Sequence, residues 1–128
     1  MGWLGDLLGR SAGGPKEMAE RLTNKGRMRL EQDTAALGDV DLVRTWLRDL
    51  RPGQDQQILV HRGWGTVAAV ADKSDSIEVV RSDSAGPYYA VAPGAPDKAA
   101  LTSDQVERIV IDALTSPGPP SWPEWREL

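Results

Sequence analysis

The chain has 128 residues, 40% of them hydrophobic and 27% charged, with five Trp and neither Phe nor Cys. That balance predicts one soluble domain with a modest aliphatic core. Fifteen basic against nineteen acidic residues give a net charge of −4, which argues against the basic footprint of a nucleic-acid binder. The missing cysteine removes disulfides, thiolate metal sites and thiol nucleophiles, and it fits a reducing cytoplasm.

Met1 to Arg10 carries Trp3, Leu4, Leu7 and Leu8, spaced for one face of a short helix, but three glycines weaken it. The expectation is a frayed terminus that docks weakly on the body, with an amphipathic patch for a membrane surface or a partner as the alternative. Asp6 and Arg10 do not supply the basic face that a membrane prefers. No basic region followed by a long apolar run marks a signal peptide, and no run approaches the roughly 20 residues of a membrane span. Ser11–Pro15 reads as a flexible joint.

From Pro15 to Leu37 charged and apolar residues are mixed. A helix opened by Pro15 is expected first, and beyond Gly26 a short strand fits as well. The segment 39–50 reads clearly as a helix: Asp39 suits the N-cap, Val40, Val43, Leu47 and Leu50 share a face beside Trp46, and Arg51-Pro52-Gly53 ends it. Arg44, Arg48 and Arg51 are read as its solvated flank.

Strands are expected at 57–61, 64–72, 76–82 and 88–91, joined by short polar turns. Such connections imply an antiparallel meander. Leu101 to Leu114 then reads as a helix with a capping box, Thr102 reaching Gln105, and a staple of Leu101 on Val106. The order predicts an α+β fold: a three- to four-stranded antiparallel meander with helices on one face. The organisation expected is residues 1–38 as an amphipathic segment with a helical and linker region, and 39–128 as the α+β domain with a Trp-containing tail.

Catalytic chemistry is sparse. His61 is the only histidine, so any hydroxyl–imidazole–acid relay has to use it. Beside an apolar strand it reads as structural. Serine occurs in no Gly-x-Ser-x-Gly, Gly63-Trp64-Gly65 lacks phosphate-loop spacing, and Asp72 and Asp75 do not make a calcium loop. No enzyme, metal or cofactor is expected. Attention moves to aromatic display. Trp64 lies between glycines, Tyr88 and Tyr89 send one ring to each sheet face, and Trp122 and Trp125 have the spacing of a short helical turn that must dock in cis or in trans. Trp64, Tyr88, Tyr89, Trp122 and Trp125 are the candidate partner-binding residues.

Leu101-Thr102-x-x-Gln105 leading to Trp122-x-x-Trp125-Arg126-Glu127-Leu128, within 39–128, resembles small actinobacterial proteins of the TY-Chap/YbjN group, relatives of the type III secretion chaperones. Where that group has Gly-Trp directly after the helix, this chain has Ala113-Leu114-Thr115. The resemblance implies a bacterial, chaperone-like α+β fold, an apolar surface for a peptide or protein, no catalysis, and a homodimer as an option. The expected function is therefore a cytoplasmic, non-catalytic peptide- or protein-binding module, with capture on the open sheet face. The alternatives are a small acidic immunity-type inhibitor of a basic partner, and a phage-derived assembly component contacting through residues 1–14.

Overall fold

The computed structural model describes residues 17–26, 29–72 and 75–128. The Trp3/Leu4/Leu7/Leu8 segment, the 11–15 joint and the Pro15 helix start lie outside the described residues. Two helices and seven strands follow in order: β1 (Met18–Asn24), β2 (Leu30–Ala35), α1 (Val40–Asp49), β3 (Gln56–Arg62), β4 (Gly65–Val70), β5 (Glu78–Asp83), β6 (Gly86–Val91), α2 (Ser103–Ala113) and β7 (Glu124–Glu127). The strands form one sheet, β2-β1-β3-β4-β5-β6-β7, in which every neighbouring pair is antiparallel.

The α+β class and the antiparallel sheet match expectation; the strand count does not. Within the segment 15–37, expected as a helix first with a short strand as the other option beyond Gly26, the described residues supply β1 in place of the helix and β2 as a strand, and β1 sits between β2 and β3 in the same sheet as the other described strands. The physical reason is that β1 alternates polar residues on both faces, so neither face is wholly apolar. Arg21 lies over the Trp46 ring at 5.3 Å, and Glu20 bonds His61, so tertiary partners accept charges that the local pattern assigns to water. The helical turn expected after Pro123 is corrected to β7, which takes in Trp125, opposite Ala90, but not Trp122.

Both predicted helices form. In α1, Val43, Trp46 and Leu47 are buried, each worth about 1.5–3 kcal/mol when fully removed from water. Asp39 holds the N-cap position but makes no side-chain cap bond. In α2 the capping box is complete: Gln105 N–H donates to Thr102 Oγ1 (3.2 Å) and Thr102 N–H to Gln105 Oε1 (2.9 Å). The helices are tied together by Glu107, which takes Arg44 at 3.4 Å and Arg48 at 3.0 Å. The arginine flank of α1 thus faces α2 as well as solvent.

Alternation divides the central strands between two cores. Ile58, Val60, Val67, Ala69 and Val79 join α1 and α2 in the first. Leu22, Leu59, Ala68, Val70 and Val80 form a second on the opposite face, with Tyr89 against it. Both described helices lie on the first face. The second face is nevertheless buried, Leu59 and Ala68 completely so, which corrects the expectation of a bare sheet face.

Candidate functional site

The five aromatic residues singled out in the sequence are not gathered at one surface. Trp64 packs on the helix-side core, and its indole N–H donates to Ser116 C=O at 3.1 Å. Trp122 belongs to the same core, with the Arg108 guanidinium 4.6 Å over its ring. Trp125 donates its N–H to Pro120 C=O at 2.9 Å. The Arg81 guanidinium stacks on both Tyr88 (4.2 Å) and Trp125 (5.1 Å) and pairs with Asp83 at 2.9 Å. Tyr89 alone of the five lies on the second face. The two tyrosines do take opposite faces, as strand alternation requires. The two tail tryptophans dock in cis. The anchors foreseen for a partner are therefore largely occupied by this chain.

The second face carries a polar line that the sequence did not reveal. His61 Nε2 hydrogen-bonds Glu20 Oε2, and His61 Nδ1 lies 3.2 Å from Thr66 Oγ1. Gln32 donates to the other Glu20 oxygen at 2.8 Å. The order acid, imidazole, hydroxyl is that of a nucleophile relay. Thr66, however, is only 2% exposed, so a substrate carbonyl has no approach to its oxygen. Met18 pairs with His61 and Leu22 with Gln57 across β1 and β3, contacts that only strand register brings about.

Next to this line the start of β1 is clasped to the β3–β4 turn. Glu17 Oε2 accepts from Gly63 N–H at 2.8 Å and from Arg62 Nε at 3.0 Å. The Gly63 amide first, and Arg62 second, hold the Glu17 carboxyl below its ordinary range.

Among the described strands β2 is the most exposed. Five of its six residues are exposed, including Leu30. At the β1–β2 turn Lys25 N–H donates to Arg29 C=O. Alternation along an antiparallel ladder then spends the backbone groups of 31, 33 and 35 on β1 and turns those of Leu30, Gln32 and Thr34 outward. Asn24 N–H donating to Asp55 C=O on the β3 side agrees with that phase. The side chains divide the same way. Glu31 and Asp33 share the helix-side face with Thr23 and Arg21, while Leu30, Gln32 and Thr34 share the other. Arg21 holds Asp33 at 2.8 Å and Lys25 holds Glu31 at 3.5 Å, yet both carboxylates remain more than half exposed. Sequence reasoning missed this edge. Its signal was the period-two run of Glu31 and Asp33 against neutral neighbours.

A cavity of about 410 Å³ lies at the opposite side of the sheet. Pairing between β5 and β6 stops at Val80–Tyr89, although β6 continues to Val91. Val79, Tyr89, Ala90, Lys98 and Leu101 are among the residues lining the gap. Among the described residues no cluster of His, Asp and Glu is placed to hold a metal ion, and no helix is long and apolar enough to cross a membrane.

Comparison with protein-family models, curated proteins and solved structures finds no match to this chain.

Proposed function

We propose that this chain is a non-catalytic protein-binding module that takes up an extended segment of a partner as an added strand along β2. The observation that carries this reading is the outward-facing backbone of Leu30, Gln32 and Thr34 on a six-residue edge that no described element covers. Such an edge is a template for strand addition, with main-chain bonds giving affinity and alternate side chains giving specificity. Glu31 and Asp33 favour Lys or Arg on one side of the incoming strand, and Leu30 and Thr34 favour neutral or apolar residues on the other.

A second copy of this chain fits the edge poorly. Joining two β2 strands as one antiparallel sheet sets Glu31 or Asp33 against Glu31 or Asp33 in each central register, and like charges directly opposite are destabilising. The burial of Thr66 supports binding rather than catalysis. A cytoplasmic, chaperone-like role and an immunity-type role both fall within this proposal. The second predicts binding to one basic protein that weakens steeply with salt.

The test is a synthetic peptide alternating Lys with Val, compared with one alternating Glu with Val. The lysine peptide is expected to shift the amide resonances of Leu30, Gln32 and Thr34, and Thr34→Pro to abolish that binding while preserving the fold, because the Thr34 N–H faces away from β1. Equal binding by both peptides, or by the proline variant, refutes the edge. Stoichiometric labelling of Thr66 by a hydroxyl-directed phosphonate refutes the non-catalytic reading.

A further inference from the structure

We infer that the cavity where β5 and β6 part is a binding site for a small zwitterion, a free α-amino acid with an aliphatic side chain. The register that pairs Val80 with Tyr89 would next pair Val79 with Ala90, and that pair is not made. Leu128 N–H donates to Pro87 C=O, so alternation turns the backbone of 87, 89 and 91 toward β7 and that of 88 and 90 toward β5. Arg81, the partner of Tyr88, and Val79 two residues before it then face β6. The Val79 N–H and the Ala90 C=O thus point into the space where the ladder opens. Val79 is 1% and Ala90 5% exposed, and a buried backbone donor and acceptor need partners.

The surroundings of that space are those of a small-molecule site. Its volume of about 410 Å³ suits a small ligand. Ile77, Val79 and Leu101 give it aliphatic walls, and its charged groups are Lys98 against Asp75, Glu78 and Glu127. Lys98 and Glu127 line the same cavity, yet among the described residues neither has an ion-pair partner. Lys98 is held there at a backbone cost: its φ of 63° is left-handed, a region that residues other than glycine adopt rarely. The turn around it is fixed from β7. Arg126 pairs with Asp97 and donates to Ala95 C=O at 2.7 Å, and Ala99 N–H donates to Pro96 C=O at 3.1 Å. Strain held by fixed surroundings gathers at ligand sites.

These groups select the ligand. A carboxylate answers Lys98 and the Val79 N–H, an ammonium answers Glu127 and the Ala90 C=O, and an aliphatic side chain covers Ile77 and Leu101. An apolar acid without the ammonium meets three acidic residues with one lysine. An apolar amine without the carboxylate leaves Lys98 and the Val79 N–H unmet. The site is independent of strand addition at β2, which lies at the other edge of the sheet, so either reading can fail alone.

The test titrates the full chain with L-leucine, isoamylamine and isocaproate, the last two being leucine without its carboxylate and without its ammonium. L-leucine is expected to move the amide resonances of Val79 and Ala90 saturably at millimolar concentration, and the other two to bind about tenfold more weakly or less. Lys98→Gln is expected to weaken leucine about tenfold and leave isoamylamine unchanged, and Glu127→Gln to weaken leucine as much and leave isocaproate unchanged. Both side chains are exposed, so the fold tolerates either change. No saturable movement of the two resonances by L-leucine overturns the inference. So do equal binding of the three probes and undiminished leucine binding by both variants.

Discussion

The indole N–H of Trp64 donates to the carbonyl of Ser116 across 3.1 Å, joining the β3–β4 turn to the end of α2. Arg62 closes the same junction, giving Nη1 to Ala113 C=O at 2.7 Å and to Ser116 C=O at 2.8 Å. The last carbonyls of a helix lack partners within it, and here they are met by side chains from the sheet. Trp64 is thus part of the fold rather than a displayed anchor.

Trp64→Ala is expected to lower stability by about 2–4 kcal/mol, near the range for truncating a large core aromatic. Trp64→Phe keeps most of the packing and loses the N–H bond, so about 1 kcal/mol is expected. Urea unfolding of the two variants checks the order. A Trp64→Ala protein as stable as the parent rules out the docking role.

The Glu17 clasp gives a pH dependence whose sign is determined. Its carboxyl is held below the ordinary 4.5 by Gly63 N–H and then by Arg62. A depressed folded value means that the contribution is present above 4.5 and fades as pH falls through the lower folded value. The Gly63 amide resonance is expected to move in that acid window, and Glu17→Gln to remove the movement. A midpoint at or above 4.5 contradicts the clasp.

Gln57 is fully buried between Leu22 and Val70, and neither end of its amide has a hydrogen-bond partner among the described residues. Replacing an unpaired buried amide with an apolar group of similar volume relieves a desolvation cost of about 1–3 kcal/mol. Gln57→Met is therefore expected to raise the melting temperature, as scanning calorimetry will register. A fall in stability means that the amide has a partner in solution.

Gly65 begins β4 at φ +153°, and a Cβ there would lie 2.6 Å from the Ser82 carbonyl oxygen and 2.8 Å from Asp83 Cβ. The first obstacle is backbone of the paired strand, so it cannot rotate away. Gly65→Ala is expected to cost about 2 kcal/mol or more, while Gly118→Ala, with open space around it, is expected to be nearly silent. Chemical denaturation of the pair separates steric conflict from a general effect of losing glycine.

Local signals were enough for the elements whose stabilising partners lie close in sequence. The 39–50 helix was legible from its apolar stripe and its Pro-Gly stop. The 101–114 helix was legible from Thr102 and Gln105, which bond each other across three residues whatever the rest of the chain does. The strands at 57–61, 64–72, 76–82 and 88–91 were legible because β-branched and small apolar residues run between turn formers. Long-range pairing decided the remainder. Arg21, Glu20 and Asp33 look like the surface of a helix until Trp46, His61 and the neighbouring strand give them partners 12 to 41 residues away. The same holds for the exposed β2 edge, for Trp64 and the tail tryptophans turning inward, and for the buried second face. Each depends on which strand lies beside which, and neighbouring residues carry no record of that choice.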